Sequence, residues 1–479
     1  MRKIVAPKLI DRLADIVGPK GITTDPLEIA PWLADWRGRF QGASPAMVSP
    51  ANADEVAAVV TLAAAAGVAL VPQGGNTSMV GGATPPADGS ALILSLRRMN
   101  RIRRLSAEDN IAVAEAGVIL SNLHDAAAAA GRRFPLSLGS KGSATVGGLA
   151  STNAGGTQVL RFGTMRSLVT GLEAVLPDGS RFDGLTALRK DNRGYDLKQL
   201  LIGAEGTLGV ITAVGLRLYP AVSERAVAWV GLDSPSLALD LLRRLEAGSA
   251  EAIESFELIP ADSLALVLQH IAGTRAPLAG AHRWHALIEA VGEGAPAFLE
   301  QALGQAIADE LAQDAVIAAN GAQADAFWRI RESISEAERA AGPAVQHDIS
   351  VAVADMPGFM LSAARTLEAA FPGTSATAFG HLGDGNVHFH VRAPAGVDRA
   401  RWMAEVGEPA SHMVHDLVVA AGGSISAEHG IGQMKLAEFA RLGEPGRLGA
   451  LRAIKRSLDP AGIMNPGKLV PLASGGDAP

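Results

Sequence analysis

The stretch LSLGSKGSATVGGLASTNAGG, residues 136–156, is built from Gly, Ser, Thr and Asn with almost no bulk. Such a run makes a poor apolar core, yet it lets a flat ligand lie against backbone. A second glycine cluster, PQGGNTSMVGGATP at 72–85, follows the apolar run VALV at 68–71. It sets Gly74, Gly75, Asn76, Thr77 and Ser78 in succession, so that consecutive backbone N–H groups and two hydroxyls can face one anion, a geometry suited to a pyrophosphate. Either cluster alone also reads as an ordinary glycine-rich turn. Together they favour a bound cofactor. No G-x-G-x-x-G joins a first strand to a helix, so the cofactor is not expected in a Rossmann crevice.

Outward from these loops, strand-like runs such as ALILSL (91–96), LVTGLEAVL (168–176) and LGVITAVGLRLY (208–219) alternate with Ala-rich helical patterns, the mark of an α/β domain over 1–220. From 221 to 430 the helical patterns at 234–248 and 296–313 alternate with the strand-like AVAWVGL (226–232) and WHALIEAV (284–291), predicting a second, α+β domain. Residues 431–479 form a closing segment with a helix stopped at Pro460.

The 479 residues are 48% apolar and 19% charged, a balance for a globular protein of two or three domains. Forty-two basic against 49 acidic residues give a net charge of −7 with no basic run, which argues against a nucleic-acid partner. The absence of cysteine excludes disulfides, thiolate metal sites and a cysteine nucleophile, so a metal must sit on His, Asp and Glu. No targeting signal is read at the start, and the cytoplasm is the expected location. The uncharged stretch 56–71 falls short of the ~18 residues that suggest a membrane span, and reads as a helix followed by a strand. The sequence GIMNPGK (462–468) has phosphate-loop spacing, but Leu469 replaces the hydroxyl that would hold magnesium and Pro466 removes an N–H.

HLGDGNVHFHV (381–391) reads as a hairpin. A turn at 383–386 would set His381 opposite His388, about 5 Å apart at Cβ, where two imidazoles can meet one ion; a pair of exposed turn histidines is the alternative. GGSISAEHGIG (422–432) offers Glu428 and His429 on neighbouring positions that point different ways, one suited to a metal and the other to acid–base work. His412 and His415 are read as a solvated helix face. FWRIRESISEAERA (327–340) reads as one helix, with Arg331 and Ser335 on one face.

PQGGNTSMVGG, GGLASTNAGGTQVLRFGTMRSLVTGLEAVLPDG (147–179), LLIGAEGTLGVIT (200–212) and LDPAGIMNPGKL (458–469) together resemble the vanillyl-alcohol-oxidase-type FAD enzymes, in the branch of D-2-hydroxyacid dehydrogenases, over nearly the whole chain. D-2-hydroxyglutarate dehydrogenases are the best match, with D-lactate dehydrogenases close by. The resemblance implies an α+β fold: an FAD-binding domain of two α/β subdomains, and a substrate (cap) domain with an antiparallel sheet. It implies that Pro72, Gly74, Gly75, Asn76, Thr77 and Ser78 hold the FAD pyrophosphate, that Gly139, Ser143, Gly148 and Asn153 line the flavin, that Val210 and Ile211 sit by the adenine, and that Asn465 returns toward the isoalloxazine. No His stands in the first loop, so non-covalent FAD is expected; the family usually has Gly at the place of Ser78.

In that family the equivalents of His381, His388 and Glu428 ligate a divalent ion, commonly zinc, the equivalent of His429 is the general base, and Arg331 and Ser335 match substrate contacts. Two positions depart. Gln346 stands where a Lys grips the distal carboxylate of the glutarate substrates, and His390 where an Asn contacts substrate, which suits a shorter or differently gripped acid, although Arg331 and His347 could still accommodate a diacid. The implied reaction is oxidation of a D-2-hydroxy acid to the 2-oxo acid. The expected electron acceptor is an electron-transfer flavoprotein, a quinone or a cytochrome, and a homodimer is expected. A flavin oxidase and a catalytically silent FAD-binding subunit are the alternatives.

Overall fold

A computed structural model describes residues 5–472 except 187, 189 and 250. The chain forms two compact units. The first takes in the chain up to Gly155, then Gly163–Ala221 and the stretch from Glu428 on; the second comprises Gly156–Phe162 and Val222–Ala427.

The first unit holds a small sheet, β1 (Ile22–Thr23), β2 (Met47–Val48), β3 (Ala69–Gln73) and β4 (Ala91–Ser95), in the order β1-β2-β4-β3. Both β2 and β3 run parallel to β4. β2 and β3 therefore flank β4 and run the same way, so the chain must cross over between them, and the helix Ala53–Ala66 supplies that crossover. Asn52 accepts from Glu55 N at its start, Glu55 reaches back to Ala51 N, and Gly67 in the left-handed region ends it. The expected helix and strand over 56–71 thus form, and among the described residues no helix is long and apolar enough to cross a membrane.

The exposed edge of β3 is covered by the C-terminal segment. Leu70 donates to Ile463 O and accepts from Asn465 N, each at 2.8 Å, so residues 463–465 extend the sheet. A second, antiparallel sheet of the same unit runs β5-β6-β10-β8-β9, with β5 Ile102–Ser106, β6 Ile111–Glu115, β8 Val169–Val175, β9 Arg181–Asp183 and β10 Val210–Arg217. The ribbon of β7 (Arg132–Arg133) and β11 (Tyr219–Pro220) lies beside it in sequence.

The second unit is one antiparallel sheet of seven strands, in the order β15-β12-β14-β13-β17-β18-β16. These are β12 Arg225–Leu232, β13 Ile253–Pro260, β14 Trp284–Val291, β15 Asp314–Ile317, β16 Ala344–Ser350, β17 Ser375–His381 and β18 Asn386–Arg392. Side chains alternate between its faces. One face is apolar save for His347 on β16: Val230, Leu258, Ile288, Ile349, Val387, Phe389 and Val391 pack against the helices Pro235–Gly248, Ala295–Ala308, Met356–Ala370 and Glu408–Ala420. The other face is apolar only around Trp229, Leu287, Ile259 and Phe379, beneath the helices Ala261–His270, Gly321–Glu332 and Ile334–Ala341. Toward β17, β18 and β16 that face turns polar.

Two sequence expectations are corrected here. The stretch 327–340 is not one helix: it breaks at Ser333, where one helix ends at Glu332 and the next begins at Ile334. The hairpin forms, but it turns over residues 382–385, so that His381 pairs with Asn386 and His388 with Phe379. Gly385 takes the positive φ of that turn and Asp384 accepts from Asn386 N. The register differs from the expected one by two residues, an even step, which leaves His381 and His388 on the same face.

Candidate active site

In the second unit the polar face gathers side chains from six elements, four strands and two helices. His381 and His388 are diagonal neighbours whose ring centroids lie 5.4 Å apart. Phe379 sits between the charged and aromatic groups: His388 lies 5.1 Å from its ring centre, His390 5.0 Å, and the Arg331 guanidinium 5.0 Å. Beneath them is Glu257 on β13, wholly buried and register partner of His381. Its Oε1 takes a 2.6 Å hydrogen bond from His381 Nδ1, and its Oε2 a 2.6 Å bond from Arg331 Nε. Burial pushes the Glu257 carboxyl up, but Arg331 and His381 outweigh it and hold it below the usual carboxylate range.

These contacts set the chemistry of each ring. With the proton of His381 on Nδ1, its Nε2 is the nitrogen whose lone pair can coordinate. His388 makes no hydrogen bond among the described residues, and desolvation, then the charges of Arg331 and His381, push it well below the ordinary imidazole range, leaving it neutral. A neutral His388 beside the Nε2 of His381 makes two imidazoles on one face, a donor pair suited to a zinc-type ion. Arg331, 8% exposed, has only its Nε engaged: its two Nη groups take no acceptor among the described residues, which leaves the fork that binds a carboxylate in two places. Ser335 lies half-buried in the first turn of the following helix.

Gln346 and His390 face each other across β16 and β18, one step along the strands from His388. His390 Nδ1 donates to the buried Glu338 in a very short contact. His347 does not join them. Its side chain alternates to the apolar face, where Nδ1 meets Phe389 O and the ring packs edge-on against His415 at 5.4 Å, so it cannot help hold a diacid on the polar face. His415 is correspondingly buried rather than solvated, and only His412 is exposed.

In the first unit the glycine loops meet closely. A Cβ on Gly75 would stand 1.9 Å from Ser143 O and one on Gly74 2.2 Å from Thr145 Oγ1. The Thr145 hydroxyl is buried without a hydrogen-bond partner, and Gly148 lies against it at the start of the helix Val146–Thr152. A cradle that only glycine permits, with an orphaned hydroxyl in it, fits a phosphate-bearing cofactor such as FAD. Asn76, at φ 53°, donates to Ala34 O, and the Ser78 hydroxyl accepts from Gly82 N at 2.9 Å, closing its own loop. Gly139 and Ser143 are exposed, and Pro72 lies half-buried on β3. Asn153, at φ 50°, ends its helix, and its Oδ1 accepts from Thr164 Oγ1 and Arg166 N. Val210 and Ile211 are buried in β10.

Asn465 donates to Gly82 O and Glu205 O, while its own Oδ1 is buried without a partner. Glu428 and His429 open the last segment of this unit in irregular backbone. The turn after them is pinned by Glu205, whose two carboxylate oxygens accept from Ile431 N and Gly432 N at 2.7 Å each. Burial pushes the Glu205 carboxyl up, against the pull of these two amides and the Lys435 and Lys468 charges.

Neither Glu205 nor Glu257 is foreseen from sequence. The available signals were a carboxylate between glycines in GAEG and one inside the apolar strand IESFELIP.

The features in the two units define a flavin-dependent oxidoreductase class, and comparison with known proteins agrees. Residues 44–183 match the family model of an FAD binding domain, and residues 222–469 that of the C-terminal domain of FAD linked oxidases. The chain is 36% identical to the mitochondrial D-2-hydroxyglutarate dehydrogenase of Arabidopsis thaliana over 97% of its own length and 82% of the relative's. It is 34% identical to the D-2-hydroxyglutarate dehydrogenase of Xanthomonas citri pv. viticola over 94% of each. In fold it resembles p-cresol methylhydroxylase with substrate bound, at TM-score 0.77 and 16% identity over 98% of both chains. The chain belongs to the FAD-linked oxidases of the vanillyl-alcohol-oxidase type, in the branch of the D-2-hydroxyacid dehydrogenases, and is an FAD-dependent oxidoreductase.

Proposed function

We propose that this enzyme oxidises a D-2-hydroxy acid, D-2-hydroxyglutarate or a related acid such as D-lactate, to the 2-oxo acid, with FAD bound non-covalently and a divalent ion, zinc by its donor set, held by His381, His388 and Glu428. The observation that carries the reading is the pair of imidazoles and the open Arg331 fork on one sheet face, with His381 and Arg331 tied together through Glu257. Glu428 is the carboxylate that the family resemblance implies as third ligand. Two His and one carboxylate leave coordination positions open for substrate.

FAD, when bound, supplies the two-electron acceptor for C2 of the substrate. The ion supplies a Lewis acid that lowers the pKa of the substrate hydroxyl. Arg331 grips the substrate carboxylate with its Nη fork and so fixes the direction of the single C2 hydrogen, which selects one enantiomer. Ser335 adds a hydroxyl contact. His429 accepts the hydroxyl proton as general base. Gln346 and His390, further along the strands, meet the end of the substrate remote from the metal. Electrons then leave to an electron-transfer flavoprotein, a quinone or a cytochrome, from a homodimer.

The test is the anaerobic visible spectrum of the purified holoenzyme mixed with D-2-hydroxyglutarate, D-lactate or D-mandelate, each beside its L isomer. Bleaching of the flavin band by D isomers alone is the expected result. A flavin that stays oxidised with every acid after zinc or manganese is supplied overturns the reading.

A further inference from the structure

Glu257 touches neither a ligand atom nor the substrate in the scheme above, yet it bonds two of the proposed site residues at once. It lies on β13, beside β17 in the sheet, and is 124 residues from His381 and 74 from Arg331 in sequence. A carboxylate fully removed from water is costly unless each oxygen is matched by a donor. Here both are matched, and by functionally different groups.

Each bond constrains its partner. The bond to His381 Nδ1 fixes the tautomer and the ring plane, and turns Nε2 outward as a more basic ligand. The bond to Arg331 Nε takes the side edge of the guanidinium and holds the plane over Phe379, which leaves the two Nη groups as the edge presented to an anion. We infer that Glu257 is a positioning residue for both halves of the substrate complex, setting the affinity for the metal through His381 and the grip on the substrate carboxylate through Arg331.

The inference rests on the proposed metal and substrate roles of those two residues. It differs from a packing role, because a carboxylate needed only for folding would alter stability without moving two ligand affinities together. An amide at 257 offers one acceptor oxygen and one NH₂, so it can satisfy one partner but opposes the other with a donor.

The experiment compares wild type with Glu257→Gln, Glu257→Asp and Glu338→Gln as FAD-loaded enzymes. Zinc affinity is read by competition with a chromogenic chelator, with no acid present, and KM for D-2-hydroxyglutarate is read at saturating zinc. Flavin content and thermal melting report the fold. Glu257→Gln is expected to weaken zinc binding by about 10–100-fold and to raise KM by roughly tenfold, the loss of about one charge-assisted hydrogen bond. Glu257→Asp, which keeps the charge, should recover part of both. Glu338→Gln, a buried carboxylate of the same face that bonds His390 instead, should leave zinc affinity within about twofold of wild type, as expected for a residue with no bond to a proposed ligand.

A folded Glu257→Gln enzyme with wild-type zinc affinity and KM overturns the inference. If that variant does not fold, the same two readings on Glu257→Asp decide. Wild type that binds no zinc breaks the metal part of the functional reading instead, and the KM arm still judges the hold on Arg331.

Discussion

His388 and Phe389 are neighbours on β18, yet they belong to opposite worlds: one faces a patch of ionisable side chains, the other the apolar floor of the second unit. The two faces of this sheet share every strand and every backbone hydrogen bond. They differ in what covers them. Four helices of 13 to 15 residues seal the apolar face. On the other face the covering helix breaks at Ser333, just after Arg331, and the side chains beneath are Glu257, His381, His388 and His390. One face spends its surface on stability and the other on chemistry.

The largest effects should follow that division. Phe389→Ala removes a wholly buried ring and should destabilise the enzyme by about 3–5 kcal/mol, read by denaturant unfolding, with the remaining folded fraction still turning over. His388→Ala should do the reverse: melting and flavin content near wild type, zinc affinity lost, and turnover down by about 10³-fold, the several kcal/mol expected of a missing Lewis acid. If both substitutions cost stability alike and leave turnover of the folded enzyme alike, the two faces are not functionally distinct.

A smaller effect comes from acid. His285 lies on the mixed face, where its Nδ1 accepts from Trp229 Nε1 at 3.1 Å. Burial, and then the nearby His282, push its pKa from the ordinary 6.5 down to about 4. The folded-state value is depressed, so between these values the unfolded chain binds a proton that the folded chain refuses. Stability from this group is complete above about pH 6.5 and is lost as pH falls toward about 4, by on the order of 3 kcal/mol. Urea unfolding at pH 7 and pH 4.5 should show that drop, and His285→Gln should reduce it. An unchanged pH slope in the variant would assign the acid sensitivity to other groups.

What could be read from the sequence divides along physical lines. Glycine loops are legible because close backbone approach leaves a local mark: Gly74 and Gly75 stand where a Cβ would strike Thr145 or Ser143. The His381 and His388 pair is legible because both lie on one hairpin, and the two-residue error in register was harmless since an even shift keeps the face. Glu257 was not legible, because it meets His381 through pairing of β13 with β17, which no local pattern encodes. Glu205 was hidden for the same reason: its partners Ile431 and Gly432 are more than 200 residues away, at separations of 226 and 227. The break at Ser333 escaped because the apolar spacing continues across it.

Next in size is the hold on the substrate carboxylate. Arg331→Lys keeps the charge but removes the planar fork, and with it the side edge that bonds Glu257. KM for a D-2-hydroxy acid should rise by about 10–100-fold, some 1.5–3 kcal/mol for a lost charge-assisted contact, while zinc affinity, read by chelator competition, should stay near wild type. An unchanged KM would remove Arg331 from the substrate and leave it a structural partner of Glu257.

The smallest effect concerns which acid is preferred. Gln346 lies opposite His390 at the far end of the polar face from His381. A neutral amide there can hydrogen-bond a remote carboxylate but does not offset its charge. Gln346→Lys should therefore raise kcat/KM for D-2-hydroxyglutarate relative to D-lactate by roughly fivefold, about 1 kcal/mol for a partly solvated ion pair. Steady-state rates with both acids measure the ratio directly. The gain should shrink as salt is raised, because screening weakens a solvated charge pair more than it weakens buried contacts. A ratio unmoved by the substitution would place the remote end of the acid away from β16, and would leave the tie of Glu338 to His390 as a structural feature of the polar face.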